Sequence, residues 1–293
     1  MDWSYVIINA IVLACIYGTL AIGVSITWSS LGLINMSFGF IFSFAGYGAW
    51  LAAQHISSSG IVILASGILT GALGGVIVCA LAFIPLHDKP NFTIRGMIAT
   101  LAISLFGTQA LLWYFGPRVK NIPPVFGYGS IKVFGSTMTY DKVGAVVTSI
   151  LMLTAVLLWM KSSRRGLEIR AMMQNPHAAS IVGIGVRRTG FYVMAITGGL
   201  AGLASVLLSQ TYYLQAFGGI TPMIKGLSVA LWGGLGSVTG VVIAAVILGI
   251  NEAMTSRFWG GQYVLITQFA LIILILLIRP RGIAGILDKA REA

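Results

Sequence analysis

The sequence 161–188, KSSRRGLEIRAMMQNPHAASIVGIGVRR, is the one long basic segment between two strongly apolar runs. Its local signals predict two short helices. The first runs from Gly166 to Met173, after two serines. Asn175 can cap the second through its side-chain carbonyl, and Pro176 fits the first helical turn, where a missing N–H costs nothing. Gly183 then favours a stop. This pattern predicts an ordered element rather than a flexible linker.

The second predicted helix has a small apolar face. Ala178, Ala179 and Val182 recur at helical spacing, and such a stripe can pack into a groove on another protein. The segment is therefore interpreted as a docking element. For any single Lys or Arg in it, an ordinary positively charged cytoplasmic loop is the simpler explanation.

Composition places the chain in a membrane. Of its 293 residues, 57% are hydrophobic and only 9% are charged, which is too little charge for a soluble globular domain. The net charge of +11 could suggest nucleic acid, but the cations lie at the ends of apolar runs, so topology explains them better. Cys15 and Cys79 lie inside apolar runs, which argues against disulfides and a metal site. The N-terminal apolar run is expected to be a retained span rather than a signal peptide.

The apolar runs predict an all-α polytopic membrane protein with about 8–9 transmembrane helices in a single domain, residues 1–293. Runs of spanning length lie at about 5–27, 33–53, 61–85, 94–115, 142–160, 189–209 and 263–278. Between them, residues 222–254 are interrupted by glycines 233, 234 and 236. This interruption indicates a broken hairpin.

The distribution of Lys and Arg predicts orientation. With the docking segment 161–188 inside, twelve cations lie inside and six outside, as the positive-inside rule requires. The N-terminus is then outside and the C-terminus inside. The loop 116–141 is external, and its β-branched and aromatic residues between glycines predict a small β-hairpin that could be a cap or a partner contact.

The two halves then have opposite topology, and each first span is followed by a glycine-interrupted stretch. These are SSLGLINMSFGFIFSFAGYG at 29–48 and QAFGGITPMIKGLSVALWGGLGS at 215–237. Broken segments at corresponding places in inverted repeats are the best sequence indication of a translocation pathway. Close helix packing is the alternative explanation for any one of these glycines. It is the preferred explanation for the GxxxG steps at glycines 67, 71 and 75 and glycines 198 and 202.

Few ionisable residues fall at membrane depth. Lys225 is expected near the outer interface as an anchor, with a place on the pathway as the alternative, and Glu252 is expected to be interfacial too. No carboxylate deep in the bundle is evident, which argues against a proton- or sodium-driven carrier. No paired nucleophile and base stand out, and no GxxxxGK[ST] phosphate loop is present, so any ATP dependence requires another subunit.

Four motifs in order resemble the permease family of branched-chain amino-acid ABC importers (LivH type). They are GLINMSFG at 32–39 followed by AGYGAWLA, SRRGLEIRAMMQNPHAASIVGI at 163–184, ALWGGLGSVTGVVIAAVILGINE at 230–252 and LLIRPRGIAG at 276–285. The resemblance covers essentially the whole chain. It implies a bacterial or archaeal inner-membrane permease subunit that carries no cofactor and is not an enzyme, with ATP and Mg bound by a partner.

The implied partners are a paralogous permease, two ATP-binding cassette ATPases and an extracytoplasmic solute-binding protein, with membrane lipid around them and no nucleic acid. The segment matching the family's ATPase-coupling element contributes Arg165, Gly166, Glu168, Arg170, Ala171, Asn175, Pro176, His177, Ala178 and Gly183. The expected translocation pathway contains Asn35, Ser37, Phe38, Gly39, Thr221, Lys225 and Ser228.

One departure from the family bears on the solute. Members commonly have Asn-Phe-Ala-His-Gly where this chain has Asn35-Met36-Ser37-Phe38-Gly39, so Phe38 replaces the usual histidine. The same family serves urea, amides and other small polar solutes, and the branched-chain assignment is therefore held loosely. A self-sufficient secondary carrier or channel, and a membrane-embedded enzyme, are the other functional classes considered.

Overall fold

The computed structural model describes residues 3–133, 136–279 and 282–283. The chain is mostly helical, with one two-stranded sheet. The α-helices are α1 Trp3–Leu31, α2 Phe38–His55, α3 Gly60–Val78, α4 Ile84–Leu86, α5 Phe92–Phe115, α6 Tyr140–Ser162, α7 Arg164–Gln174, α8 Pro176–Ile181, α9 Val186–Ser209, α10 Ile220–Gly233, α11 Val238–Phe258 and α12 Val264–Ile278. A π-helical turn, Cys79–Phe83, joins α3 to α4 into one segment.

Seven helical segments in the described residues are long and apolar enough to cross a membrane. Two of them, α1 and α9, are also the most deeply buried. A helix that is apolar on all sides must lie in the interior of a bundle or face lipid, and here these two pack against each other, with Thr27 and Thr197 joined through their hydroxyls at 3.2 Å. The first helix of each half therefore lies at the centre.

A glycine seam joins α3 to α9. A Cβ at Gly71 would collide with the carbonyl of Gly198, and one at Gly202 would collide with the carbonyl of Gly67. Only glycine permits this approach of two helix backbones, because any side chain would push them apart. The predicted packing role of these GxxxG steps is confirmed.

The second half contains the interruption that its glycines predict. Helix α10 has 14 residues and is preceded by a 3-10 turn, Ala216–Gly219. It ends where Gly234 and Gly236 adopt φ of +88° and +95°, a conformation that costs glycine little and other residues much. Helix α11 then follows over 21 residues.

The connections gather at two opposite ends of the bundle. At one end, Lys120 and Leu214 exchange backbone hydrogen bonds of 2.8 and 3.0 Å, and the Val125 N–H donates to Gln210 Oε1 at 3.2 Å. At the other end, Arg187 pairs with Asp88 at 2.9 Å, and the Ile283 N–H donates to the Trp232 carbonyl at 2.6 Å. Helix α6 connects the first end to the second.

The loop 116–139 lies at the first end and contains the small sheet. Strands β1, Ser130–Val133, and β2, Ser136–Thr139, pair antiparallel with Ile131 opposite Met138. The loop is tied to the bundle, since Phe126 donates its N–H to Asp141 Oδ1 at 3.2 Å and its ring packs on Gly144. The segment 163–185, which contains α7 and α8, lies at the opposite end of α6.

Candidate translocation and coupling sites

The two glycine-interrupted stretches meet in the structure. Gly39, which opens α2, lies against Gly219, which precedes α10, and a Cβ on Gly219 would collide with the Gly39 carbonyl. The Gly219 N–H donates to Ser43 Oγ at 3.0 Å. Residues 180 positions apart in sequence are thus held backbone to backbone, at corresponding places in the two halves. This contact is the geometric centre of the candidate translocation site.

The first-half residues predicted to line the pathway are buried within the chain. Ser37 donates both its N–H and its hydroxyl to Asn35 Oδ1, at 2.9 and 2.5 Å. The Asn35 amide lies 3.7 Å from the Met194 sulfur, and Phe38 is only 1% exposed. These contacts shape the connection between α1 and α2 beside Gly39, and the place of Asn35, Ser37 and Phe38 on the pathway stays a prediction.

The second-half residues Thr221, Lys225 and Ser228 lie on one face of α10, because they are four and then three positions apart, but they differ in burial along the helix. Ser228 is buried, and its hydroxyl donates to the Ile224 carbonyl at 2.7 Å. Thr221 is exposed, beside Ile220 and Phe217, which are 42% and 43% exposed. Phe217 and Ile220 were not predicted from the sequence, although their helical spacing from Ile224 and the Gly218–Gly219 interruption could have indicated an outward face.

The expectation that Lys225 and Glu252 are interfacial is wrong. Their side chains are only 7% and 4% exposed, and Lys225 Nζ lies 2.6 Å from Glu252 Oε1. The Tyr17 hydroxyl accepts from Lys225 Nζ at 3.0 Å and donates to Glu252 Oε1 at 3.3 Å. This group joins α10, α11 and α1. A carboxylate therefore does lie inside the bundle, contrary to the prediction from the sequence, and Lys225 lies one helical turn after the exposed Thr221 on the same face of α10.

The segment of α7 and α8 is built by local capping. The Ser163 hydroxyl accepts from the Gly166 N–H at 2.9 Å, and Asn175 Oδ1 accepts from the Ala178 N–H at 3.0 Å. Pro176 occupies the first turn of α8, and Gly183 has φ of +88° just after its end. Each cap satisfies an N–H that the helix leaves without a partner.

Several residues of the predicted ATPase-coupling set make contacts within the permease itself. A Cβ at Gly166 would collide with the backbone of Met160, so Gly166 is buried against α6. Arg170 donates to the Lys161 carbonyl at 3.1 Å. Arg165 pairs with Glu168 at 2.7 Å, and this hydrogen bond raises the pKa of the arginine above its ordinary value. Ala171 is half-buried.

The exposed part of the segment is the surface of α8. Ala178 and His177 are exposed, whereas Ala179 is only 4% exposed and packs inward. The predicted stripe of Ala178, Ala179 and Val182 is therefore wrong at Ala179. The outward apolar side chains are instead Ile181 and Val182, which are 75% and 76% exposed. We call the exposed residues 177, 178, 181 and 182 the α8 surface.

These features define a class: a multi-pass helical membrane protein with two interlocked halves and a capped helical pair at one end. The family described as "Branched-chain amino acid transport system / permease component" matches residues 6–276, and the chain belongs to it. The resemblance noted from the sequence is confirmed. The chain is a multi-pass permease component of the plasma membrane.

Individual relatives agree with the family. The chain is 26% identical over 290 residues to the high-affinity branched-chain amino acid transport system permease protein LivH of Salmonella typhimurium, covering 94% of each chain. It is 29% identical over 295 residues to a probable LivH of Methanocaldococcus jannaschii, covering 95% of this chain and 91% of that one. The solved structure of PsaBC from Streptococcus pneumoniae in complex with Fab shares the fold, with a TM-score of 0.55 and 13% identity over 93% and 91% of the two chains.

Proposed function

We propose that this chain imports branched-chain or related small amino acids, as one of two permease subunits of an ATP-driven importer. The single observation that carries the proposal is the contact of Gly39 with Gly219, because it joins the broken stretches of two halves that are inverted in the predicted topology. Broken segments in inverted repeats are where transporters place their substrate path. Membership of the branched-chain permease family supplies the solute class.

The proposed topology has the N-terminus outside, 8–9 transmembrane helices including the broken hairpin, and the C-terminus inside. The positive-inside rule supports it, and so does the separation of the bundle's two ends. Residues 161–188, with one Lys and five Arg, lie at one end, and the loop 116–139, with one Arg and two Lys, lies at the other. The solute-binding protein would then deliver solute at the end that carries the hairpin.

The path itself would run beside the exposed face of α10. Phe217, Ile220 and Thr221 face away from this chain's own core, which leaves them open to contact with a second, related permease. Asn35, Ser37, Phe38, Gly39 and Ser228 would support this face from behind. Lys225 supports it too, through its buried partners. The path lies between two permeases in this proposal, with lipid around both.

The movement of the ATPases would be transmitted to this chain through the α8 surface. Ile181 and Val182 are the exposed apolar side chains of α8, and His177 and Ala178 lie beside them. Short helices with exposed apolar groups bind into grooves of a partner. Each of two ATPases, which would hold ATP and Mg, would receive one such surface. This chain would carry no cofactor, and ATP-driven closure would rock the two halves.

The proposal is tested with the chain, its co-purifying permease, ATPases and binding protein in proteoliposomes. We expect uptake of leucine, isoleucine or valine only when ATP and the binding protein are both present. Vesicles containing this chain alone test the second candidate, a self-sufficient carrier, which the buried Glu252 favours. Uptake by the chain alone, driven by an ion gradient, would contradict the importer proposal. ATP-driven uptake of a different solute would contradict only the amino-acid assignment.

A further inference from the structure

The most unusual feature outside the path and the α8 surface is the buried group of Tyr17, Lys225 and Glu252. It lies among α1, α10 and α11, of which α1 and α11 are of spanning length, and ionisable side chains inside a membrane bundle are costly and are usually functional. The ammonium of Lys225 also lies 4.9 Å from the centre of the Tyr17 ring. Every polar hydrogen bond that the structure gives to Lys225 Nζ goes to the other two members of the group.

The packing of α1 on α11 does not depend on this group. Gly249 lies against Ala10 and Ala14, and Gly18 lies against Ala245, so the two helices meet through small residues. What the ion pair adds is a connection from these two helices to α10. Buried ion pairs are weak evidence for stability, because apolar replacements of similar volume often serve as well. A role in placing α10 explains the group better than a role in holding the bundle together.

Helix α10 is a short helix that is bounded at both ends by glycine-containing turns. Its outer end is tied to α2 through Gly219 and Ser43. At its inner end, the Gly236 N–H donates to Ser25 Oγ of α1 at 2.9 Å. The group at Lys225 is the polar attachment between these two ends, and the exposed face that carries Thr221 lies on the same helix.

Only one of the two carboxylate oxygens of Glu252 accepts hydrogen bonds from the described residues. Its Oε1 accepts from both Lys225 and Tyr17, whereas Oε2 is buried and has no hydrogen-bond partner among the described residues. Lys225 can therefore exchange one oxygen of this carboxylate for the other without losing its ion pair. Such an exchange would accompany a small displacement of α10 along α11.

We propose that Tyr17, Lys225 and Glu252 are positioning residues of the transport cycle, which hold α10 in one of two positions on the same carboxylate. In the position seen here, the Tyr17 hydroxyl holds the Lys225–Glu252 ion pair through its two hydrogen bonds. The ion pair then moves with α10 when the halves rock, so the exposed face of α10 shifts without leaving an unpaired charge in the membrane. This inference rests on the permease function and not on the identity of the solute.

The test compares two variants in the complete importer. Tyr17→Phe removes both hydrogen bonds of the hydroxyl and keeps the ring. The double variant Lys225→Met with Glu252→Leu removes both charges and keeps similar volumes. Lys142→Met is the control, since Lys142 is a partly exposed lysine with one hydrogen bond, to Asn9 Oδ1 at 2.8 Å. Uptake is measured per assembled complex, with ATP hydrolysis in the same vesicles.

We expect both test variants that assemble to take up solute about threefold to thirtyfold more slowly per complex than wild type, the range found for residues that couple distant sites. ATP hydrolysis should fall less than uptake, because α10 and not the ATPase is affected. The control should match wild type. If the double variant does not assemble, uptake by the Tyr17→Phe variant alone tests the proposal.

Wild-type uptake per complex in either assembled variant would overturn the proposal, because a purely structural group would restore transport once assembly is restored.

A second readout follows the motion of α10 itself. Spin labels at Leu231 of α10, which is partly exposed and lies outside the proposed path, and at the exposed Phe258 of α11 should change separation between the nucleotide-free and the ATP-bound importer. An unchanged separation in an importer that still transports would also overturn it. Failure of wild-type uptake would instead count against the proposed function.

Discussion

A negative charge added to the α8 surface should impair docking of the ATPase without impairing folding of the permease. Ala178 is exposed, whereas its neighbour Ala179 is 4% exposed and packs into the chain's own bundle. In Ala178→Asp the new carboxylate points to solvent in the isolated permease. It becomes buried and unpaired only when an ATPase covers α8. Ala179→Asp buries the same charge in the permease itself.

The expected sizes of the two effects differ widely. An exposed substitution such as Ala178→Asp changes the free energy of unfolding by less than about 0.5 kcal/mol. An unpaired charge at a buried interface costs about 2–5 kcal/mol of binding, which weakens ATPase affinity by about 30-fold to several thousandfold. For Ala179→Asp, an unpaired buried charge should destabilise the permease by about 3 kcal/mol or more.

The assay measures permease in the membrane and ATPase retained on affinity purification from the same cells. Ala178→Asp should insert at the wild-type level and lose the ATPase, whereas Ala179→Asp should reduce the amount of folded permease. Ala178→Ser is the neutral control and should retain both. Wild-type ATPase retention by Ala178→Asp would refute the assignment of α8 as the ATPase seat.

Three further substitutions test the parts of the fold that position the sites. Gly71→Ala should lower the free energy of unfolding by about 1–3 kcal/mol, because its Cβ meets the α9 backbone, while Gly261→Ala, whose Cβ meets nothing within 4 Å, should be neutral in the same melt. Gly219→Ala should force the two broken stretches apart and abolish uptake, whereas Gly218→Ala, which meets only a side chain, should transport normally. Asn175→Ala should cost about 1 kcal/mol of helix capping and weaken ATPase binding, and Asn175→Ser should restore it; equal binding by both would contradict the capping role.

Local signals in the sequence predicted the features that depend on local chemistry. Ser163 and Asn175 cap helices as their side chains allow, and Gly183 ends α8 with a positive φ. The glycines of α3 were predicted as packing positions because their four-residue spacing places them on one helix face. The interruption before α11 could likewise be predicted, since its glycines break an apolar run.

Features set by tertiary packing were not predictable from one sequence. Lys225 and Glu252 lie 27 positions apart on different helices, and each alone has the pattern of an interfacial anchor. Only the packing of α10 and α11 against Tyr17 shows that they neutralise each other. Ala178 and Ala179 are alike in sequence, and the burial of one of them depends on how α8 rests on its neighbours.

The two ends of the bundle can be assigned to the two sides of the membrane by labelling. In a chain whose Cys15 and Cys79 are replaced by alanine, single cysteines are introduced at His177 of α8 and at Tyr128 of the loop 116–139, which is 90% exposed. We expect a membrane-impermeant maleimide to label position 128 but not 177 in intact cells, and position 177 in inside-out vesicles. Labelling of position 177 from outside intact cells would place the α8 surface beyond the reach of any cytoplasmic ATPase and contradict the account.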